Sequence, residues 1–408
     1  MAKATFIHCA DLHLDSPFLG LEHLPQSIYE RIKQSTFDSF RNIIDAALRE
    51  DVDFILIAGD IYDGEDRSIR AQLFFREQMN RLKERGIPAF IIHGNHDHLG
   101  GNWTKVEMPD NVFIFPGHAE VIAHKTRSGA KIHLYGYSYP KRHVEEKIID
   151  LYRKQEGADF HIGILHGSDF RDRTHYAYAP FRVRDLLDKG FDYWALGHIH
   201  KRTVLSENPP ILYPGNPQGR NRMETGEKGC YLVRLTSEGA DLQFIETAPI
   251  VWEAVRPEER LETFEQLFSY LSGLKEDLRS AKKNWILDVR LPERNIGEGA
   301  LGAVENGELL DWLQEEEKKE PFFVWIRSLE IEPEPLTVVE HADFLMELER
   351  IFSSMDDLRE PLAPLFFHRD GKRFLDPLTD KEREELLDRA RQGLLSLIQS
   401  GRPGRFFA

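Results

Sequence analysis

The chain has 408 residues, with 53 Lys and Arg against 69 Asp and Glu for a net charge of −16, 41% hydrophobic residues, two cysteines and 17 histidines. That length suits two or three domains with buried cores, whereas the longest clean apolar run, Phe54 to Ala58, is far too short to span a bilayer, and no charged-then-apolar secretory leader is read. Cys9 and Cys230 share no Cys-x-x-Cys spacing, which excludes a disulfide framework and a thiolate metal site and points to a reducing, cytoplasmic compartment.

In chain order, apolar runs bounded by turn residues predict buried strands at Thr5–Ala10, Phe54–Ala58, Ala89–Ile92, Ile132–Tyr135, Ile162–Leu165 and Tyr193–Leu196. Between the first three lie amphipathic helices, Ser27–Glu50 and Ser68–Glu84, so the chain opens as an α/β unit. After Leu196 the pattern turns to short strands with Pro and Gly turns, ending in Cys230–Leu235 and Leu242–Glu246, and a second sheet is expected to close a domain of residues 1–250. Residues 251–333 read as a small α+β cap: helix Leu261–Arg279, strand Trp285–Leu291, a Gly-containing loop, helix Gly307–Lys318 and strand Phe322–Ile331. Glu332–Pro335 reads as a linker, and 334–408 as a helical region with helices Val338–Asp357 and Lys381–Ser400.

Residues 1–250 hold 31 basic and 35 acidic residues, residues 251–408 hold 22 and 34, and 15 of the 17 histidines lie in the first part. Histidine gathered in one domain points to metal chemistry there. The acidic balance does not favour a polyanionic partner through a whole-surface field, so any nucleic-acid contact needs a local basic patch.

Each early strand ends in polar residues of one kind: Asp11-Leu-His13, Gly59-Asp60-Ile-Tyr-Asp63, Gly94-Asn95-His96-Asp97, His166-Gly-Ser168 and Gly197-His198-Ile-His200. Ligands bind where the C-terminal ends of strands converge in open α/β sheets, and residues two apart in extended backbone point the same way. Borderline divalent metals such as manganese, iron or zinc accept imidazole and carboxylate together. Mixed nitrogen and oxygen donors from five strand ends therefore suggest two such ions.

In this order the five pieces resemble the signature of the calcineurin-like metallophosphoesterases. Within that superfamily the chain is most similar to the SbcD-type DNA exonucleases, among them the bacterial YhaO branch, on the spacing, the Gly197-His198-Ile-His200 motif, Tyr213-Pro-Gly-Asn-Pro and the C-terminal extension. The resemblance is strong over residues 1–250 and architectural beyond. It implies a two-sheet αββα sandwich with one metal held by Asp11, His13, Asp60 and His200. Asp60, bridging, would hold the second with Asn95, His166 and His198. Manganese is the first expectation for both, with iron or zinc as alternatives.

Two ions about 3.5–4 Å apart suit in-line hydrolysis of a phosphodiester. His96 is then expected to serve the leaving oxygen, with Asp97 orienting its ring, while the role of Asp63 is left open. Lys201, Arg202, Arg220 and Arg222, together with Arg171, Arg173, Arg182 and Arg184, offer phosphate contacts, and Tyr135, Tyr137, Tyr139, Tyr176 and Tyr178 offer stacking surfaces. A metal-dependent DNA nuclease is the leading reading. A phosphatase or small-molecule phosphodiesterase is the alternative, as is a subunit that mainly scaffolds an ATPase. The final helix has a capping box at Thr379 and Glu382 and a stripe of Leu387, Ala390, Leu394 and Leu397, which either folds back on Val338–Phe352 or docks an SMC-like ATPase of the SbcC type. A homodimer is compatible with the sequence but not specified by it.

Overall fold

The computed structural model describes residues 2–332 apart from 19, 20, 22, 23, 65, 66, 102, 171–177 and 319, together with 350, 386, 387 and 390. The chain forms two compact units, 1–290 with 297–330, and 291–296 with 331–408. The linker and the two C-terminal helices expected from the sequence lie outside the described residues almost entirely, as do Arg171, Arg173 and Tyr176.

The opening is β1 (Lys3–Cys9), α1 (Gln26–Arg49), β2 (Phe54–Ala58), α2 (Ile69–Glu84), β3 (Ala89–Ile92) and β4 (Val112–Ile114). Next come β5 (Glu120–Lys125), β6 (Lys131–Gly136), β7 (Phe160–His166), the short α3 (Val183–Leu187), β8 (Tyr193–Gly197), β9 (Thr203–Glu207) and β10 (Pro210–Tyr213). The hairpin β11 (Gly229–Thr236) and β12 (Gly239–Glu246) precedes β13 (Ile250–Val255), α4 (Phe264–Ser280), β14 (Asn284–Pro292), α5 (Glu298–Glu305), α6 (Glu308–Glu317) and β15 (Val324–Glu332).

Two six-stranded sheets, ordered β12-β11-β1-β2-β3-β4 and β5-β6-β7-β8-β10-β9, pack face to face, and a third holds β13-β14-β15. Alternation explains the layering. Phe54, Leu56 and Ala58 of β2 meet Ile132, Leu134, Ile162 and Ile164 of the other sheet, while Ile55 and Ile57 face Phe37, Phe40, Ile43, Phe75 and Met79 from α1 and α2. Ser68 accepts a hydrogen bond from the N–H of Ala71 and so starts α2 where its cap was legible. The outer face of the second sheet is covered by Tyr135, Tyr139, Ile148, Leu186 and Trp194, from loops, α3 and the strands themselves.

The strands after Leu196 do not build a sheet of their own. β9 and β10 extend the sheet that begins at β5, and the β11–β12 hairpin returns to the first sheet, antiparallel to β1. β11 can do so because both its faces are apolar: Cys230 and Leu232 join the helix side, Tyr231 and Val233 the inter-sheet core. β4 and β5 are short and half exposed, so they carry no alternation strong enough to announce them. The expected Gly-containing loop holds α5, whose Ala300 is buried.

The segment read as a cap packs on α1. Ile250, Trp252, Ile286, Phe323 and Trp325 share an apolar cluster with Phe18, Leu21, Leu24, Ile28 and Ile32, and Arg31 donates to Asn284 and to the carbonyl of Pro321, the latter at 2.6 Å. Trp194 shows how tightly the second sheet is filled, being wholly buried and stacked on Tyr152 and Phe191. Trp194→Ala is expected to lose about 3–5 kcal/mol of stability, measured by denaturant unfolding.

Candidate metal centre

The five motifs meet because β1, β2 and β3 are parallel neighbours in one sheet, β7 and β8 in the other, and all five strand ends point one way. The turns leaving β1 and β2 continue side by side: the N–H of Asp11 donates to the Gly59 carbonyl at 3.0 Å and that of His13 to the Asp60 carbonyl at 3.1 Å. Asp11, His13, Asp60 and His198 all have positive φ, a conformation that L-residues hold only where the surroundings impose it. Gly59 (φ +94°) supplies the same turn without a side chain in the way.

Asp11 and Asp60 are each 1% exposed, and His13 and His166 are wholly buried. Among the described residues three groups bring ligand atoms within 4.8 Å of one another: Asp11, His13 and His200; Asp11, Asp60 and His166; and His13, Asp63 and His96. Asn95 joins the second, with its Oδ1 3.0 Å from His166 Nε2 and 3.2 Å from His198 Nδ1. The N–H of His198 donates to both Asp11 oxygens, at 3.0 and 3.1 Å.

The tautomers decide what these atoms can do. His166 Nδ1 lies 2.9 Å from the Ala58 carbonyl, which can only accept, so Nδ1 carries the hydrogen and Nε2 turns toward Asn95 Oδ1 and, at 3.4 Å, Asp60 Oδ2. His13 Nδ1 sits 3.1 Å from Asp63 and His200 Nδ1 2.7 Å from Glu224, which leaves the two Nε2 atoms facing each other at 3.1 Å. Electron pairs thus converge on electron pairs at two adjacent places. Such a donor set is satisfied by cations, and a carboxylate behind each imidazole is the usual device for aiming it.

The electrostatics follow. Burial opposes the Asp60 charge, yet His166, His13 and His96 hold the carboxyl well below its ordinary range, while burial pushes Asp11 up. Burial disfavours a charged His166, but Asp60 and Asp11 raise it to about 9, the same two carboxylates that would draw a cation there. Burial, with Arg220 nearby, lowers His13 to about 3.

Asp97 does not orient His96. Its carboxylate takes His93 Nδ1 at 2.9 Å and the N–H groups of Ile61 and Gly94 at 2.9 and 2.8 Å, tying the 93–97 turn to the end of β2. The carboxylate beside His96 is Asp63, at 3.4 Å. Arg67 braces the same turn from outside, donating to the carbonyls of Asp97 and His98 and stacking on Trp103. Sequence reasoning left Asp63 open and overlooked Glu224 and Arg67. Their only signal is a charged residue in a segment adjoining a motif.

The expected nucleic-acid contacts fare unevenly. Tyr135, Tyr137 and Tyr139 are buried and cannot stack on a base, whereas Tyr178 lies against His198. Arg220 is held by Asp63 and Glu224, and Arg202 by Glu227 and the Phe244 ring. Lys201, Arg182, Arg184 and Arg222 are exposed.

A family model for calcineurin-like phosphoesterases matches residues 4–202. The chain is 42% identical over 398 residues to the metallophosphoesterase YhaO of Bacillus subtilis (strain 168), covering 96% of this chain and 97% of that protein. It is 28% identical to the DNA double-strand break repair protein Mre11 of Thermoplasma acidophilum over 68% of this chain and 72% of that protein, and 28% identical to the Mre11 of Sulfurisphaera tokodaii over 60% and 63%. The chain belongs to the calcineurin-like metallophosphoesterases, hydrolytic enzymes that use a dinuclear divalent metal site. Among the described residues no helix is long and apolar enough to cross a membrane.

Gly94 shows how little room the centre leaves: a Cβ there would fall within 3.0 Å of Asp60 Oδ1 and His166 Nε2. Gly94→Ala is expected to lower bound metal well below that of the unaltered protein at an unchanged fold, read by elemental analysis and circular dichroism.

Proposed function

We propose that this protein is a dinuclear metal-dependent phosphodiesterase acting on DNA, an exonuclease of repair or end processing that works in the cytoplasm with an SMC-like ATPase of the SbcC type. The observation that carries the reading is the facing pair of imidazole Nε2 atoms of His13 and His200 next to the Asp60, Asn95 and His166 cluster. Asp11, His13, Asp60 and His200 would hold one ion and Asp60, Asn95, His166 and His198 the other, with manganese proposed ahead of iron and zinc. Such ions supply Lewis acidity toward a phosphoryl group and activate water for attack.

The chain's own residues do the rest. His96, about a third exposed and steadied by Asp63, is placed to hand a proton to the leaving oxygen. Asp97 acts one step behind it, fixing the turn that carries His96. Support for a DNA substrate comes from the relatives named for double-strand break repair and from the exposed Lys201, Arg182, Arg184 and Arg222. The ATPase partner rests on the SbcD resemblance, and the helix proposed to dock it lies outside the described residues. A small phosphodiester is the second reading, favoured by the ion-paired state of Arg220 and Arg202 and by the burial of three of the five tyrosines.

The test is the manganese-loaded protein on end-labelled single- and double-stranded DNA beside bis-p-nitrophenyl phosphate and p-nitrophenyl phosphate. Release of nucleotides from DNA ends, weakening steeply with salt, is expected; hydrolysis of the monoester alone would overturn the proposal. Asp60→Asn and His198→Ala are each expected to lose metal and turnover together. His96→Ala should keep both ions and lose about 10²–10⁴-fold in rate, the usual share of a general acid; loss of metal in that variant would assign His96 to the ligands instead.

A further inference from the structure

Two carboxylates, Asp63 of the second motif and Glu224 of the segment after the last one, meet the first ion's imidazoles from behind. Glu224 Oε1 lies 2.7 Å from His200 Nδ1, and its Oε2 accepts from the Asn216 amide and from the N–H of Arg220, each at 2.7 Å. Asp63 Oδ1 lies 3.1 Å from His13 Nδ1, and its Oδ2 accepts from Ser16 Oγ at 3.0 Å. The Arg220 guanidinium stands between the two carboxylates, with one terminal nitrogen 3.1 Å from Asp63 Oδ1 and the other 3.9 Å from Glu224 Oε1.

Arg220 is only 17% exposed at its side chain, and its Nε is buried without a hydrogen-bond partner. Its position is therefore set by the two carboxylates and not by its own full satisfaction. The second cluster is built otherwise. His166 is aimed by a backbone carbonyl, Ala58, Asn95 Oδ1 lies against the His166 and His198 rings, and among the described residues no arginine is paired with either group.

We propose that Asp63, Arg220 and Glu224 form a carboxylate–guanidinium–carboxylate brace that positions His13 and His200 together, and that it sets the affinity of the first ion while leaving the second untouched. The proposal rests on the dinuclear reading above. Each carboxylate fixes an Nδ1–H tautomer and so aims an Nε2 electron pair; the planar fork of Arg220 holds the two carboxylates at one spacing, which a lysine cannot reproduce. These are positioning residues. None of them needs to touch substrate.

The experiment is calorimetric titration of metal-free, full-length protein with Mn2+, checked by Mn2+ paramagnetic resonance. His200→Ala and His198→Ala identify which binding step belongs to which ion. Arg220→Gln and Glu224→Gln are expected to weaken the first step about 10–100-fold and to leave the second within twofold, and Arg220→Lys is expected not to restore it. The double variant should lose no more than the worse single variant, because both act through one brace. Glu227→Gln, an equal charge change on the same segment with its side chain on Arg202, should move neither step.

Equal weakening of both steps, or no weakening in Arg220→Gln and Glu224→Gln, would overturn the brace and leave the two-ion reading standing. Fewer than two binding steps in the unaltered protein would overturn both. Should Arg220→Gln fail to fold, Glu224→Gln alone decides, since it keeps an oxygen for His200 while removing the charge that faces Arg220 and the acceptor shared by Asn216 and the Arg220 N–H.

Discussion

Two carboxylates that water cannot reach, Asp11 and Asp60, are the constraint around which the molecule is organised. Each sits at the end of a parallel strand in the first sheet with 1% exposure, and isolated burial of two like charges would be prohibitive. The surroundings answer with specific donors. The His198 N–H takes both oxygens of Asp11, the His96 N–H takes Asp60 Oδ1 at 2.9 Å, and the His166 ring stands between the two acids. The positive φ values of Asp11, Asp60 and His198 are the backbone cost of aiming these groups inward, and they fall where the chemistry is.

What the sequence made legible was whatever lies consecutively on the chain. The strands Phe54–Ala58 and Ala89–Ile92 were readable because apolar runs end in Gly-Asp and Gly-Asn, and the same turns that end the strands deliver the donors. Asp63, Arg220 and Glu224 were not readable as a unit, because Arg220 meets Asp63 across 157 positions and neither lies in an apolar pattern that fixes its direction. Burial of a tyrosine is likewise a tertiary fact. Tyr135 and Tyr139 could have been stacking platforms from composition alone, yet their hydroxyls satisfy His161 and the His166 carbonyl inside the core.

Charge follows the same division between sum and placement. The chain is net negative, and at the metal cluster the carboxylates outnumber the guanidinium groups that pair with them. Without cations that cluster repels phosphate; with two divalent ions the balance reverses locally while the rest of the surface stays acidic. An acidic protein can therefore present an electropositive centre only when loaded, which confines attraction for a phosphoester to the place where it can react.

The third sheet and the metal centre are parts of one packing arrangement and not neighbours by chance. The segment that leaves His13 runs on through Phe18, Leu21 and Leu24 into the cluster completed by Ile286, Phe323 and Trp325. On the other side, Trp252 of β13 donates its indole N–H to the Gly219 carbonyl and accepts the Gly226 N–H at its own carbonyl, both at 2.9 Å, so it grips the chain on either side of Arg220 and Glu224. Gln218 adds bonds to the Ile250 carbonyl and from the Ile250 N–H. The backbones that carry His13 and the partner of His200 are therefore anchored in the same apolar cluster. Cutting the chain near residue 250 would remove Trp252, Ile286 and Trp325 from that cluster and free the segment that aims His200, which makes the third sheet a structural requirement of the metal site before any role it has toward substrate.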